Sequence, residues 1–64
     1  MERLRLGYSY LYINDSCEID KTTECGTTVD KKRYDLGNYY LLSEWEQATK
    51  DAAELRKIFK QRTK

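Results

Sequence analysis

The chain has no histidine, and its 64 residues include only two cysteines and three glycines. Each scarcity closes a route to function. Without an imidazole there is no His-based triad, no His-x-x-x-His zinc helix and no proton shuttle near neutral pH. The two thiols, Cys17 and Cys25, complete a structural zinc site only with carboxylates or a second subunit. Glycines at Gly7, Gly26 and Gly37 are too scattered for a loop that cradles phosphate. Ser9, Ser16 and Ser43 have no base to activate them. No apolar run approaches the roughly 18 residues that a membrane span needs. The start, Met1 to Leu6, alternates charge with leucine and lacks the continuous apolar stretch of a secretion signal. The expectations are no catalytic site, no cofactor, no metal and no membrane, in a chain that stays in the cytoplasm of a cell with its thiols reduced.

A disulfide between the two cysteines is not expected either. On one extended strand, residues 17 and 25 lie roughly 26 Å apart at the usual strand rise. A bridge needs Cα atoms within about 7 Å. The two thiols read as small, semi-buried side chains.

What is present is a thin but real core. Apolar residues make up 39% of the chain and charged residues 36%, with a net charge of +1, and six tyrosines carry much of the aromatic content. Residues 1–64 make one domain, near the lower size limit for a single unstapled core.

Local patterning predicts the order β-β-β-α. From Leu4 to Ile13, leucines and tyrosines share one parity, and both parities turn apolar at Tyr10-Leu11-Tyr12-Ile13. That is a strand signature. Asn14-Asp15-Ser16 predicts a turn, because short polar side chains bond their own backbone. A second strand from Cys17 to about Glu24 then completes a hairpin. Gly26 to Arg33 reads as a polar loop, and Tyr34 to Leu41 as a short third strand interrupted at Gly37-Asn38. From Ser43 the signals favour a helix. Ser43 with Glu46 has capping-box spacing, while Lys57, Lys60 and Arg62 suit a helix C-terminus. Trp45, Ala48, Ala52, Leu55 and Phe59 step by 3 and 4 along one stripe, with Ile58 at its border. The expected fold class is α+β, a three-stranded antiparallel sheet packed against one C-terminal helix.

Several features admit two readings. Asp51 and Glu54 are neighbours on the helix but lie among lysines, so they read as a solvated face rather than an acid–base pair. Asp15, Glu18, Asp20, Glu24 and Asp30 stand against Lys21 alone in the hairpin segment. Arg56, Lys57, Lys60, Arg62 and Lys64 form a basic tail, and Lys31-Lys32-Arg33 a second cluster. This is a dipolar molecule able to meet a basic groove with one end and phosphates with the other. It is equally what solubility and the helix dipole require. Tyr8, Tyr10 and Tyr12 read first as sheet packing and second as an exposed row able to stack bases. Tyr39-Tyr40 is expected to split, one ring inward and one outward. The helix stripe also has heptad spacing, which leaves a homodimer seam open beside the intramolecular core.

The order of these segments resembles a small module of phage and prophage proteins of Gram-positive bacteria. The resemblance rests on Tyr10-Leu11-Tyr12-Ile13-Asn14, on the stretch from Asp30 through Arg33-Tyr34-Asp35-Leu36-Gly37-Asn38-Tyr39-Tyr40, and on the helix from Ser43. It covers nearly all of the chain after Leu6. Two departures stand out: Ser16-Cys17 replaces the usual glycine of the first turn, and Trp45 sits where alanine or glutamate is common. The resemblance implies the fold and carries over no functional residues. By size and context it also suggests a likeness to the inhibitors that phages direct at host machinery, anti-CRISPR proteins among them.

The leading expectation is therefore a phage-encoded inhibitor that binds a host protein, for example a CRISPR nuclease, and blocks it sterically. Its candidate contacts are Asp15, Glu18, Asp20, Glu24, Tyr39 and Tyr40. The alternative is a small nucleic-acid-binding accessory protein using Lys31, Lys32, Arg33, Lys57, Lys60 and Arg62.

Overall fold

The computed structural model describes residues 2–62. Two short strands, β1 (Ser9–Ile13) and β2 (Ile19–Thr23), form an antiparallel hairpin. Tyr10 pairs with Thr22, and Tyr12 with Asp20. A helix α1 (Thr28–Leu36) follows, then a 3-10 turn over Leu42–Glu44 and a long helix α2 (Trp45–Arg62). The hairpin is sandwiched, because successive side chains of a strand point to opposite faces. Tyr10 and Tyr12 meet α1 residues on one face. Leu11 and Ile13, both buried, have the opposite parity, and Ile19, the register partner of Ile13, shares a groove with Trp45 and Ala52 of α2. β1 is thus covered on both sides, while β2 keeps Asp20, Lys21 and Thr23 exposed.

The class α+β and the C-terminal helix hold, and the expected three-stranded sheet has two strands. The segment expected as a loop and third strand is largely α1. Thr27 Oγ1 accepts from the Asp30 amide at 3.2 Å, and Asp30 Oδ2 accepts from the Thr27 amide at 3.2 Å, closing a capping box. Those reciprocal bonds satisfy two orphan donors and nucleate a helix that apolar periodicity does not reveal. Gly37, at φ 80°, ends α1 in the left-handed region, and its amide reaches back to Arg33 and Tyr34. What remains of the third strand is one bridge, in which Leu11 and Tyr40 exchange both backbone bonds at 2.8 and 2.9 Å. Beside it, Asn38 takes the place of a strand residue with its side chain. Its Oδ1 accepts from the Ile13 amide at 2.7 Å, and its Nδ2 donates to the Ile13 carbonyl at 2.9 Å. An asparagine amide carries the same donor and acceptor as a peptide unit, so the outer edge of β1 is sealed without a strand.

Ser43, the expected helix cap, lies inside the 3-10 turn instead. Glu44 performs the local closure, with Oε1 accepting from the Leu41 amide at 2.7 Å.

The α2 stripe is only partly used. Ala48 and Ala52 are buried, whereas Trp45 and Phe59 remain 54% and 47% exposed, and Leu55 and Ile58 are also exposed. Length explains this for Ile58 and Phe59, near the end of the helix. Five-residue strands span roughly 17 Å and an 18-residue helix roughly 27 Å. The end of α2 overhangs the sheet. Lys64, last of the basic tail, lies outside the described residues.

Candidate functional site

The core is held by two buried carboxylates, and their positions decide which sequence candidates remain at the surface. Glu24 is 1% exposed. Arg3 donates to it through Nε at 2.8 Å and Nη2 at 3.1 Å, the Tyr39 hydroxyl donates at 2.8 Å, and the Gly26 amide at 3.0 Å. Asp30 is 3% exposed and accepts from Tyr10 Oη at 2.5 Å, Thr27 Oγ1 at 2.8 Å and the Cys25 amide at 3.0 Å. The rings of Tyr10 and Tyr39 stack at 4.1 Å, and Tyr34 meets Tyr39 edge-on at 5.2 Å.

Arg33 closes this network from outside. Its guanidinium lies 3.8 Å over the Tyr12 ring and donates to Tyr10 Oη at 3.0 Å. The tyrosines of β1, Tyr10 and Tyr12, are therefore packing groups, with Tyr10 wholly buried, while Tyr8 ahead of the strand is largely exposed. They do not form an open stacking row.

Charge and burial set the acidities. The Arg3 guanidinium, joined by Tyr39 and Gly26, holds the Glu24 carboxyl below its ordinary value against the opposing effect of burial. Burial pushes Asp30 upward, but donors from Tyr10, Thr27 and Cys25 outweigh it and hold the carboxyl well below the usual range. Burial, reinforced by Glu24, pushes the Tyr39 phenol up to about 12. Tyr40 is raised too, by burial and by its hydrogen bond to Asp51 at 2.6 Å.

Two of the expected partner contacts are thereby removed from the surface. Glu24 and Tyr39 have their polar atoms engaged internally and offer no area to a partner. Tyr40 is half-buried and leans on α2 through Asp51. Asp15, Glu18 and Asp20 are exposed on the hairpin; Asp20 accepts from Tyr12 Oη at 3.4 Å, and Glu18 lines the groove beside α2. The alternative basic set is dispersed. Lys31 pairs with Asp35 at 2.8 Å, Lys57 approaches Glu54 at 3.8 Å, and Arg33 faces the tyrosine network. Lys32, Lys60 and Arg62 are exposed on two different helices.

The hairpin loop is rigid for a chemical reason. The Cys17 amide donates to the Asn14 carbonyl at 2.9 Å, and Asn14 Oδ1 accepts from the amides of Ser16 and Glu18 at 2.9 and 3.1 Å. Cys17 takes φ 60°, the left-handed position that a three-residue hairpin loop usually gives to glycine. It tolerates that strain because its side chain is buried and Arg56 of α2 donates to its carbonyl at 3.1 Å. Both thiols are free, Cys17 buried and Cys25 exposed.

The two hairpin edges differ. Tyr40 and Asn38 seal β1, whereas the bonding pattern turns the peptide groups of Ile19, Lys21 and Thr23 away from β1. Asp20 Oδ1 accepts from the Lys21 amide at 3.2 Å, a local contact that blunts the outer edge of β2. The sequence announced the three exposed acids through their spacing against one lysine. It gave no sign of the open edge, which follows from pairing.

Among the described residues, no helix is long and apolar enough to cross a membrane. Comparison with protein-family models, curated proteins and solved structures finds no match for the chain.

Proposed function

We propose that the chain is a non-catalytic protein-binding module, a phage-type inhibitor that docks on a host protein through its β1–β2 hairpin and blocks it sterically. The observation that carries this reading is the exposure of Asp15 and Glu18 on a braced loop and of Asp20 at the start of β2, whose outer peptide groups face away from β1. A fixed acidic projection next to an outward-facing strand edge, at which Asp20 engages the Lys21 amide, suits a basic groove on a partner. The edge supplies register and the charges supply rate and selectivity. The buried carboxylates support a scaffold role, since Glu24 and Asp30 are saturated by internal donors.

The test is capture of partners from bacterial lysate on tagged protein, with and without nuclease, repeated with Asp15→Lys/Glu18→Lys/Asp20→Lys. One stoichiometric protein that survives nuclease and is lost with the triple variant supports the proposal. Capture unaffected by the triple variant removes the hairpin assignment. Recovery of nucleic acid alone, with binding that falls steeply as salt rises, makes the basic clusters the working surface instead.

A further inference from the structure

The outer edge of β2 and one flank of α2 face the same lane beside the hairpin. Pairing with β1 turns the peptide groups of Ile19, Lys21 and Thr23 toward that lane. Among the described residues, the Asp20 carboxylate is the group that reaches them, 3.2 Å from the Lys21 amide. Tyr40 seals the far edge of the hairpin, and its bond to Asp51 sets that flank of α2 over the β1 side. Trp45, Thr49, Ala53 and Arg56 stand roughly 120–160° around the helix from Asp51. They therefore overhang the β2 side, where they line a groove of about 380 Å3 with Glu18 and Ile19 of the hairpin.

We infer, on the premise of the hairpin docking proposed above, that an extended segment of the target adds to β2 as a third strand beneath this flank of α2. Such a strand lies about 4.8 Å beyond β2 and exchanges backbone bonds with Ile19, Lys21 and Thr23. An incoming carbonyl takes the Lys21 amide from Asp20 and releases that carboxylate. Side chains on the α2 face lie beside Ile19 and under Trp45, which is 54% exposed, and under Thr49 and Ala53. Lys21 and Arg56 border the same face, so apolar residues fit there and basic ones do not. Side chains on the opposite face lie beside Asp20, and the end nearest the hairpin tip passes Glu18. Lysine or arginine fits those positions. The occupant is thus a segment in which apolar and basic residues alternate.

A second copy of the chain does not fit this edge. Antiparallel pairing of β2 with β2 sets Lys21 opposite Lys21 or, in the neighbouring registers, Asp20 opposite Asp20 or Glu24. Like charges directly opposite one another destabilise a strand pair. A nucleic acid has no alternating peptide groups to offer and meets Glu18 and Asp20 with the wrong sign.

The probe is the peptide Gly-Lys-Val-Lys-Val-Lys-Val-Lys-Gly, acetylated and amidated, titrated to about 1 mM, the range of weak single-segment binding. It is added to the unaltered chain while the emission of Trp45, the single tryptophan, is followed. The expected result is a saturable blue shift, with slowed amide exchange at Ile19 and Thr23. Two N-methylated versions separate strand addition from charge attraction. Only every second amide of an added strand faces its neighbour: the valine set in antiparallel addition, the lysine set in parallel addition. Methylating the facing set weakens binding by about tenfold or more, and methylating the other set changes it by less than about twofold. Ala53→Arg, at an exposed position, projects into the lane and also weakens binding by about tenfold or more.

No saturable binding at 1 mM overturns strand addition. So do equal effects of the two methylated sets, or an Ala53→Arg chain that binds as well as the unaltered one. The peptide result and the capture experiment fail separately. A target lost with the triple charge reversal, beside a peptide that does not bind, keeps the hairpin docking and removes the added strand. A peptide that binds as expected, beside capture that ignores the triple reversal, removes the acidic docking and keeps the strand site.

Discussion

Tyr39 stacks on Tyr10 with ring centres 4.1 Å apart and planes 21° from parallel, and the two hydroxyls diverge to different buried carboxylates, Glu24 and Asp30. One aromatic pair therefore joins the N-terminal segment, the hairpin, α1 and the segment after it. The Leu4 amide adds to the junction by donating to Tyr39 Oη at 3.0 Å.

Removing either hydroxyl leaves the rings in place and takes one donor from a buried carboxylate. Tyr10→Phe and Tyr39→Phe are each expected to lower unfolding free energy by about 1.5–3 kcal/mol, the range for hydrogen bonds to charged groups. Urea denaturation measures this. A change near zero for both would show that the remaining donors suffice.

Both carboxylates are held below their ordinary values in the folded state, so the unfolded chain binds protons more readily in acid. Their stabilisation is fully present above the unfolded values, about 4, and is lost progressively as pH falls below them. The melting temperature should drop steeply between about pH 4.5 and 2.5, and the slope should flatten in Asp30→Asn. On the alkaline side the sign reverses for Tyr39, whose phenol is raised to about 12. Its stabilisation is present below the unfolded value near 10 and is lost as pH rises from there through 12. Tyrosinate absorbance followed alongside ellipticity checks this.

Asn38→Ala removes both side-chain bonds to Ile13 and reopens the outer edge of β1. The expected loss is about 1–3 kcal/mol, since a partly buried amide and carbonyl lose their partners together. Amide exchange at Ile13 should accelerate more than at Leu11, which keeps its Tyr40 partner. Equal acceleration at both would mean that the edge opens as a unit.

Gly37→Ala isolates a backbone effect. An added Cβ meets nothing within 4 Å, yet φ is 80°. The expected cost is about 1–2 kcal/mol, from the left-handed conformation alone. A neutral substitution would show that α1 can end another way.

The sequence by itself determined the hairpin, its turn at Asn14-Asp15-Ser16 and the long C-terminal helix. In each case the deciding signal is local: alternation, short polar side chains or 3–4 spacing read directly on one segment. It also placed three acids on the hairpin. Tertiary structure decided the rest. The segment from Thr27 to Leu41 carries tyrosines that favour a strand and a Thr27/Asp30 cap that favours a helix, and the buried bonds of Asp30 to Tyr10 and Cys25 settle it as α1. The same burial turned Glu24 and Tyr39 from surface candidates into core, because long-range pairing with Arg3 leaves no trace in local pattern. The exposure of Phe59, a residue in perfect register with Ala48 and Ala52, is likewise tertiary. Periodicity fixes which face a residue occupies, while the length of the opposing sheet fixes how much of that face is covered.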